Sequence, residues 1–344
     1  MLKKTFLFVC FFSAITFLPS FTFTSYQKPT RTIIVDAGHG GVDQGAEGLI
    51  STEAQLCLEI ARKLGKGIDK DIPNVKILYT RTKDMLPGDD PNNVNKANRW
   101  RADFANSSGA DLFISIHCNA SGKKPGGWYE KKIVDYNYKV SYVGKGKKRR
   151  KVTTKVPVYQ PYYVVNEMHG TETYIWNSRE TSHKASNVGN VGEFSSGEQD
   201  SAITVPENDP VINALRLLYT KKYFKNSLLL AELVQDEFTK AGRLNRGVKQ
   251  RTEKGIWVLH ATGMPSILIE TGFISNKEEE EYLVSEKGQD QIVDNIVAAL
   301  KNYFDTVEKQ QTPDNASKPT SATNTTSYEF MKMLDEHKAG NQTK

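Results

Sequence analysis

Four side chains in this 344-residue chain are of types, and at places, that could do chemistry together. His39 follows the apolar run Ile33, Ile34, Val35 in the glycine-rich segment IIVDAGHGGVDQGAEG, and His117 follows a second apolar run in ADLFISIHCNA. Both read as histidines delivered at the carboxyl end of a buried strand, where ligands collect in open α/β sheets. Between them Glu53 opens a helical stretch. Two imidazoles and one carboxylate form a donor set of the catalytic zinc type, which leaves a fourth position for water. Glu270 ends a third apolar run in PSILIETGFISN. A carboxylate there could take a proton from that water and pass it to a leaving nitrogen. Singly, each of the four has an ordinary reading as a satisfied strand-end, helix-dipole or salt-bridge residue. Their shared position is what joins them.

The elements that must position these residues follow from periodicity. Residues 52–68 place Leu56, Ile60 and Leu64 on one helical face, with Ser51 or Thr52 as N-cap and Glu53 in the first turn. Further strands are expected at 75–81, ending in Thr80 and Arg81, and at 170–176, and helices at 97–107 and 288–304. Two helical stretches cover 210–242 and end at Gly242. A strand is expected to run to WVL (257–259), after which His260 competes as a ligand. Gly38, Gly40, Gly41, Gly45 and Gly48 supply positive φ or close backbone approach around His39. The predicted fold is α/β, with a twisted, mostly parallel central sheet flanked by helices and the metal site at the carboxyl ends of its strands, and the length suits one large domain or two smaller ones.

Two segments break the α/β rhythm. Residues 121–170 read as a basic excursion of extended hairpins. Within them, 123–155 hold twelve Lys or Arg against Glu130 and Asp135, a net +10 that leaves −4 for the rest of a chain whose formal charge is +6. A basic surface is therefore local, and nucleic acid is not an expected partner. Residues 177–208 are polar, include Glu193, Glu198 and Glu207, and read as a flexible loop or flap.

At the termini, Lys3 and Lys4 precede an uncharged run to Gln27 with a dense apolar stretch from Phe6 to Leu18, the pattern of a secretory signal over 1–27. An uncleaved membrane anchor is the alternative. Export to the periplasm or cell envelope is expected. Residues 306–344 read as a disordered, low-complexity tail. Outside the leader only Cys57 and Cys118 remain, too few for a disulfide scaffold. They read as small buried hydrophobes, with a disulfide or a metal thiolate as alternatives.

The segments DAGHGGVDQGAEG, EAQLCLEIA, RADFANSSGADLFISIHCNA and MPSILIETGFISN together resemble the zinc-dependent N-acetylmuramoyl-L-alanine amidases of bacterial cell-wall turnover. The resemblance implies a single α/β catalytic domain over 28–305 in which His39, Glu53 and His117 bind one Zn2+ and Glu270 is the catalytic carboxylate. The implied substrate is the peptidoglycan amide joining the lactyl group of N-acetylmuramic acid to L-alanine, and an activator protein is a possible partner. Arg246 and Arg81 are candidates for pairing with stem-peptide carboxylates. Gln44 and Ala54 depart from the family's usual proline and lysine but remove no ligand. Another zinc peptidase or deacetylase of the envelope, or a non-catalytic peptidoglycan-binding protein, are the rival readings.

Overall fold

A computed structural model describes residues 30–188, 210–253 and 255–311. The leader expected at 1–27, residues 312–344 of the tail expected at 306–344, and Glu193, Glu198 and Glu207 lie outside the described residues, while residues 306–311 are helical rather than disordered.

The chain opens with β1 (Arg31–Ala37), α1 (Glu53–Asp71), β2 (Val75–Tyr79), α2 (Val94–Ser107) and β3 (Leu112–Asn119). A hairpin of β4 (Gly127–Val143) and β5 (Arg150–Val165) follows, then β6 (Thr171–Ile175), α3 (Thr181–Asn187) and α4 (Pro210–Lys240). β7 (Asn245–Gln250), α5 (Trp257–Ala261), β8 (Ser266–Phe273), α6 (Lys277–Val284) and α7 (Glu286–Gln311) complete the described chain.

Six strands form one sheet in the order β2-β1-β3-β8-β6-β7. Every neighbouring pair is parallel except β6 with β8. β1, β3 and β8 are therefore central and end side by side. Their apolar runs are buried on both faces, as a helix-covered parallel sheet requires. The two-residue strand period sends Ile33 and Val35 into a core shared with α1, α4 and α7, and Ile34, with Phe113 and Leu268, into a second core with Trp176 and Leu259. On α1, Leu56, Ile60 and Leu64 are wholly buried, each contributing roughly 2 kcal/mol by transfer from water.

The fold class is as expected, and several details differ. Residues 210–240 are one continuous helix rather than two. Within it Ser227 accepts a hydrogen bond at its Oγ from the Ser266 backbone N–H at 2.9 Å, tying the helix to β8. WVL is not a strand: residues 257–261 form the short helix α5, whose Val258 and Leu259 fill the second core. The basic excursion is a single long antiparallel hairpin. The start of the second excursion is no flap. Ala185 and Val188 are buried, and the enclosed Lys184 Nζ donates to the Leu259 carbonyl at 2.6 Å and to Ser266 Oγ at 2.9 Å. No helix among the described residues is long and apolar enough to cross a membrane.

Candidate metal centre and active-site cleft

The turn after β1 is held by its carbonyls. Arg81 donates from Nε to the Ala37 carbonyl at 3.0 Å and from Nη2 to those of Gly38 and Ala54 at 2.6 and 2.7 Å. Arg101 donates to the Ala37 and His39 carbonyls at 2.8 and 2.7 Å and pairs with the buried Asp36. Asp36 also accepts from the hydroxyls of Thr80 and Ser115, each at 2.6 Å. Burial works to raise the Asp36 pKa, but Arg101 and the two hydroxyls outweigh it and hold the carboxyl below its usual value. Arg81 is only 4% exposed. Its guanidinium is committed to backbone, so the substrate contact expected of it is corrected to a structural one.

This turn presents His39 in the left-handed region, at φ 58°. The sequence suggested glycines for that conformation, and Gly40, Gly41 and Gly45 do adopt positive φ, but the histidine itself is also bent back. Gly38 serves close approach instead: a Cβ there would lie 2.4 Å from the His117 ring. A Cβ on Gly45 would lie 2.6 Å from a Glu53 carboxylate oxygen.

Glu53 arrives from the other side. Thr52 caps α1 by accepting from the Gln55 N–H, and the Glu53 and Ala54 N–H groups donate to the Ala46 and Gln44 carbonyls at 2.9 and 3.1 Å. Gln44 Oε1 accepts from Thr52 Oγ1 at 3.0 Å, so the residue standing in place of the family's proline ties the turn to the cap. Glu280 on α6 accepts from the N–H groups of Leu49, Ile50 and Ser51 at 2.7–2.9 Å and anchors the loop before the cap.

His39, Glu53 and His117 thus meet. Glu53 Oε1 is 3.2 Å from His39 Nε2 and 2.8 Å from His117 Nδ1. The three ligand atoms lie within 4.8 Å of one another. His39 Nδ1 lies 2.9 Å from Asp43, a carboxylate placed to orient the ring. Burial disfavours charge on His39, yet Glu53 and Asp43 outweigh it and raise the pKa to about 9. Burial likewise opposes charge on Glu53, and the two histidines win, pulling its pKa well down. Two imidazole nitrogens with one carboxylate oxygen are donors that fit zinc.

Glu270 lies beside His117 in the β3–β8 register and opposite Glu172 in the β6–β8 register. Its Oε2 is buried with no hydrogen-bond partner among the described residues. Burial, then the charges of Glu53 and Glu172, raise its pKa to about 8. A buried carboxyl in this state holds or releases a proton near neutrality. All four residues line one cleft of about 350 Å³, with Asn98, Arg251 and Trp257 on its walls.

Other expected residues fall elsewhere. Arg246 donates to Glu172 at 2.8 Å and lies over the Phe273 ring, and it does not line the cleft. The expectation for it is corrected to a partner of Glu172, and Arg251 is the arginine that reaches the cleft. His260 sits on α5 with its ring 5.1 Å from Trp257, outside the donor cluster. Cys57 and Cys118 are buried free thiols, so the disulfide alternative falls. Asp43 and Glu172 were missed by sequence reasoning. Asp43 is four residues from His39, a visible spacing. Glu172 carried one signal, a charge inside the strand-like segment GTETYIW.

A family model described as N-acetylmuramoyl-L-alanine amidase matches residues 33–302. N-acetylmuramoyl-L-alanine amidase AmiC of Escherichia coli is 29% identical over 274 residues, 79% of this chain and 52% of that protein. The probable N-acetylmuramoyl-L-alanine amidase AmiB of Haemophilus influenzae is 27% identical over 287 residues, 83% of this chain and 53% of that protein. The chain spans about half the length of these two relatives. Among solved structures, the CwlD amidase from Clostridioides difficile in complex with the GerS lipoprotein has the same fold. Its TM-score is 0.50 at 22% identity, over 80% of this chain and 100% of that one. The stretch matched by the family model contains every cleft residue named above, and the chain belongs to the N-acetylmuramoyl-L-alanine amidase family.

Proposed function

We propose that this chain is a zinc-dependent peptidoglycan amidase that hydrolyses the bond between the lactyl group of N-acetylmuramic acid and L-alanine of the stem peptide. The observation that carries the reading is Glu270, whose buried Oε2 has no hydrogen-bond partner among the described residues, beside the cluster of His39, Glu53 and His117. His39, Glu53 and His117 would hold the metal. When bound, zinc supplies Lewis acidity towards the amide carbonyl and lowers the pKa of a bound water.

The chain's own groups account for the remaining requirements. Glu270 takes the proton of the attacking water on its carboxylate and returns it to the leaving nitrogen, so that L-alanine departs as an amine. A pKa near neutrality suits one group to both transfers. Asp43 keeps the His39 ring oriented, and Arg101 and Arg81 hold the turn that bears it. Arg251 on the cleft wall is placed to meet a stem-peptide carboxylate. The amino-terminal pattern of residues 1–27 supports export, and cell-wall turnover in the envelope is the role we assign. An activator protein belongs to this reading as a possible partner, since the CwlD structure was determined in complex with the GerS lipoprotein.

The test compares the parent with Glu270→Ala for zinc content and for release of stem peptides from purified peptidoglycan. One zinc in each, with peptides bearing free L-alanine amino termini from the parent alone, is the expected result. Loss of zinc from neither and cleavage by both would remove Glu270 from the reaction, and absence of zinc from both would end the metal assignment.

A further inference from the structure

The basic hairpin is the largest feature that the cleft chemistry leaves unused. β4 and β5 have 17 and 16 residues, an arm of roughly 50 Å at the rise of an extended strand. Side chains along it are exposed or half-exposed except at Gly127. Its root is joined to the catalytic edge of the sheet. The Gly126 N–H donates to the Ser275 carbonyl at 2.9 Å, just beyond β8, and Asn166 donates to Ser121 Oγ at 2.8 Å, just beyond β3.

The register decides which side chains share a face. Pairs Tyr129↔Tyr163, Ile133↔Tyr159, Tyr138↔Lys155 and Tyr142↔Lys151 alternate with pairs pointing the other way, and the extra residue between Ile133 and Asp135 keeps the phase across the kink. One face therefore carries Tyr129, Tyr136, Tyr138, Tyr142, Tyr159 and Tyr163 in a row. Tyr129 is 74% exposed and Tyr138 66% exposed. Lysines interleave with them: Lys155 Nζ lies 3.6 Å from the centre of the Tyr136 ring. Solvent-exposed rings in such number on one face mark a surface built to be covered.

We propose that this tyrosine face is a docking surface for a glycan strand of peptidoglycan, holding the polymer beside the cleft. The occupant rests on the peptidoglycan reading above. A ribbon two strands wide offers a line of rings rather than a broad patch, which fits an extended polymer. Tyrosine presents a flat apolar face with a hydroxyl at its tip, matching the C–H face and hydroxyls of a pyranose. The net +10 of residues 123–155 complements a polymer whose stem peptides carry carboxylates. An anionic lipid surface would also meet the charge, and binding to lipid vesicles is therefore the competing outcome of the test.

The test uses the full chain. In a Glu270→Ala background, which leaves the substrate intact, co-sedimentation with purified sacculi is compared with and without Tyr129→Ser, Tyr138→Ser, Tyr159→Ser and Tyr163→Ser. Loss of sacculus binding by at least tenfold is expected. The same four substitutions with Glu270 present should leave hydrolysis of a soluble disaccharide-peptide within twofold of the parent, which also shows that the domain is folded. A second variant, in which a two-residue turn replaces residues 129–163, should behave alike. Unchanged sacculus binding in both variants overturns the proposal. So does binding to phosphatidylglycerol vesicles that depends on the tyrosines while sacculus binding does not. If the parent fails on the soluble substrate yet binds sacculi through the tyrosines, the amidase reading falls and the docking surface stands.

Discussion

Glu172 and Glu270 face one another across the antiparallel β6–β8 pair, and their surroundings drive them to opposite protonation states. Glu172 is met by Arg246 at 2.8 Å, Lys249 at 2.6 Å, Tyr174 Oη at 2.9 Å and Asn119 Nδ2 at 3.0 Å. Burial opposes its charge, but these partners prevail and lower its pKa. Glu270 has burial and two like charges, which outweigh Arg251, and its Oε2 has no hydrogen-bond partner among the described residues. Carboxyls set apart in this way divide into one fixed charge and one proton carrier.

Removing the Glu172 charge should therefore ease ionisation of Glu270. In Glu172→Gln the Glu270 pKa falls, because a neighbouring anion is lost while Arg246 and Lys249 remain. The acid limb of kcat/KM against pH, where Glu270 must be ionised to act as base, moves to lower pH. A limb that stays in place or moves upward would show that Glu172 does not act on Glu270.

Metal removal and loss of Glu270 should be separable. Chelation abolishes peptide release, and added zinc restores it. Glu270→Gln retains one zinc and loses activity by roughly 10²- to 10⁴-fold, the usual span for a general acid–base group. Residual activity within tenfold of the parent would assign the proton transfer elsewhere.

Asp43 supports His39 without joining the donor set. Asp43→Asn should weaken zinc affinity by about 10- to 100-fold in competition with a chelator. The thermal midpoint of the metal-free protein should change little, since Asp43 is a partly exposed turn residue. Equal loss of metal-free stability would make its role structural.

Asp36 and Arg101 make a stability prediction. Asp36→Ala leaves the Arg101 guanidinium, 2% exposed, without its carboxylate, and such losses cost about 3–5 kcal/mol. The Asp36 pKa is lower in the folded chain than its ordinary 3.8. Its contribution is thus complete above the unfolded value and lost as pH falls through the folded one. Urea midpoints measured downward from pH 5 should fall more steeply for the parent than for the variant, and parallel curves would refute the linkage.

Local chemistry made much of this protein legible in its sequence. Apolar runs that stop at a polar residue locate strand ends, so the ends bearing His39, His117 and Glu270 can be read directly, as can the amphipathic α1 that opens with Glu53. What a side chain does at such a place depends on partners distant in the chain, and only the tertiary structure decided that. Arg81 was equally suited to a substrate carboxylate or to backbone until three carbonyls from two other segments surrounded it. Glu172 acquired its meaning from the β6–β8 register, and the tyrosines of the hairpin from a phase-keeping bulge. WVL is apolar enough for a strand, yet folds as a helical turn because it caps a core rather than pairing with the sheet. Periodicity is set by neighbours a few residues away. Burial, register and charge pairing are set by whichever segments the sheet order brings together.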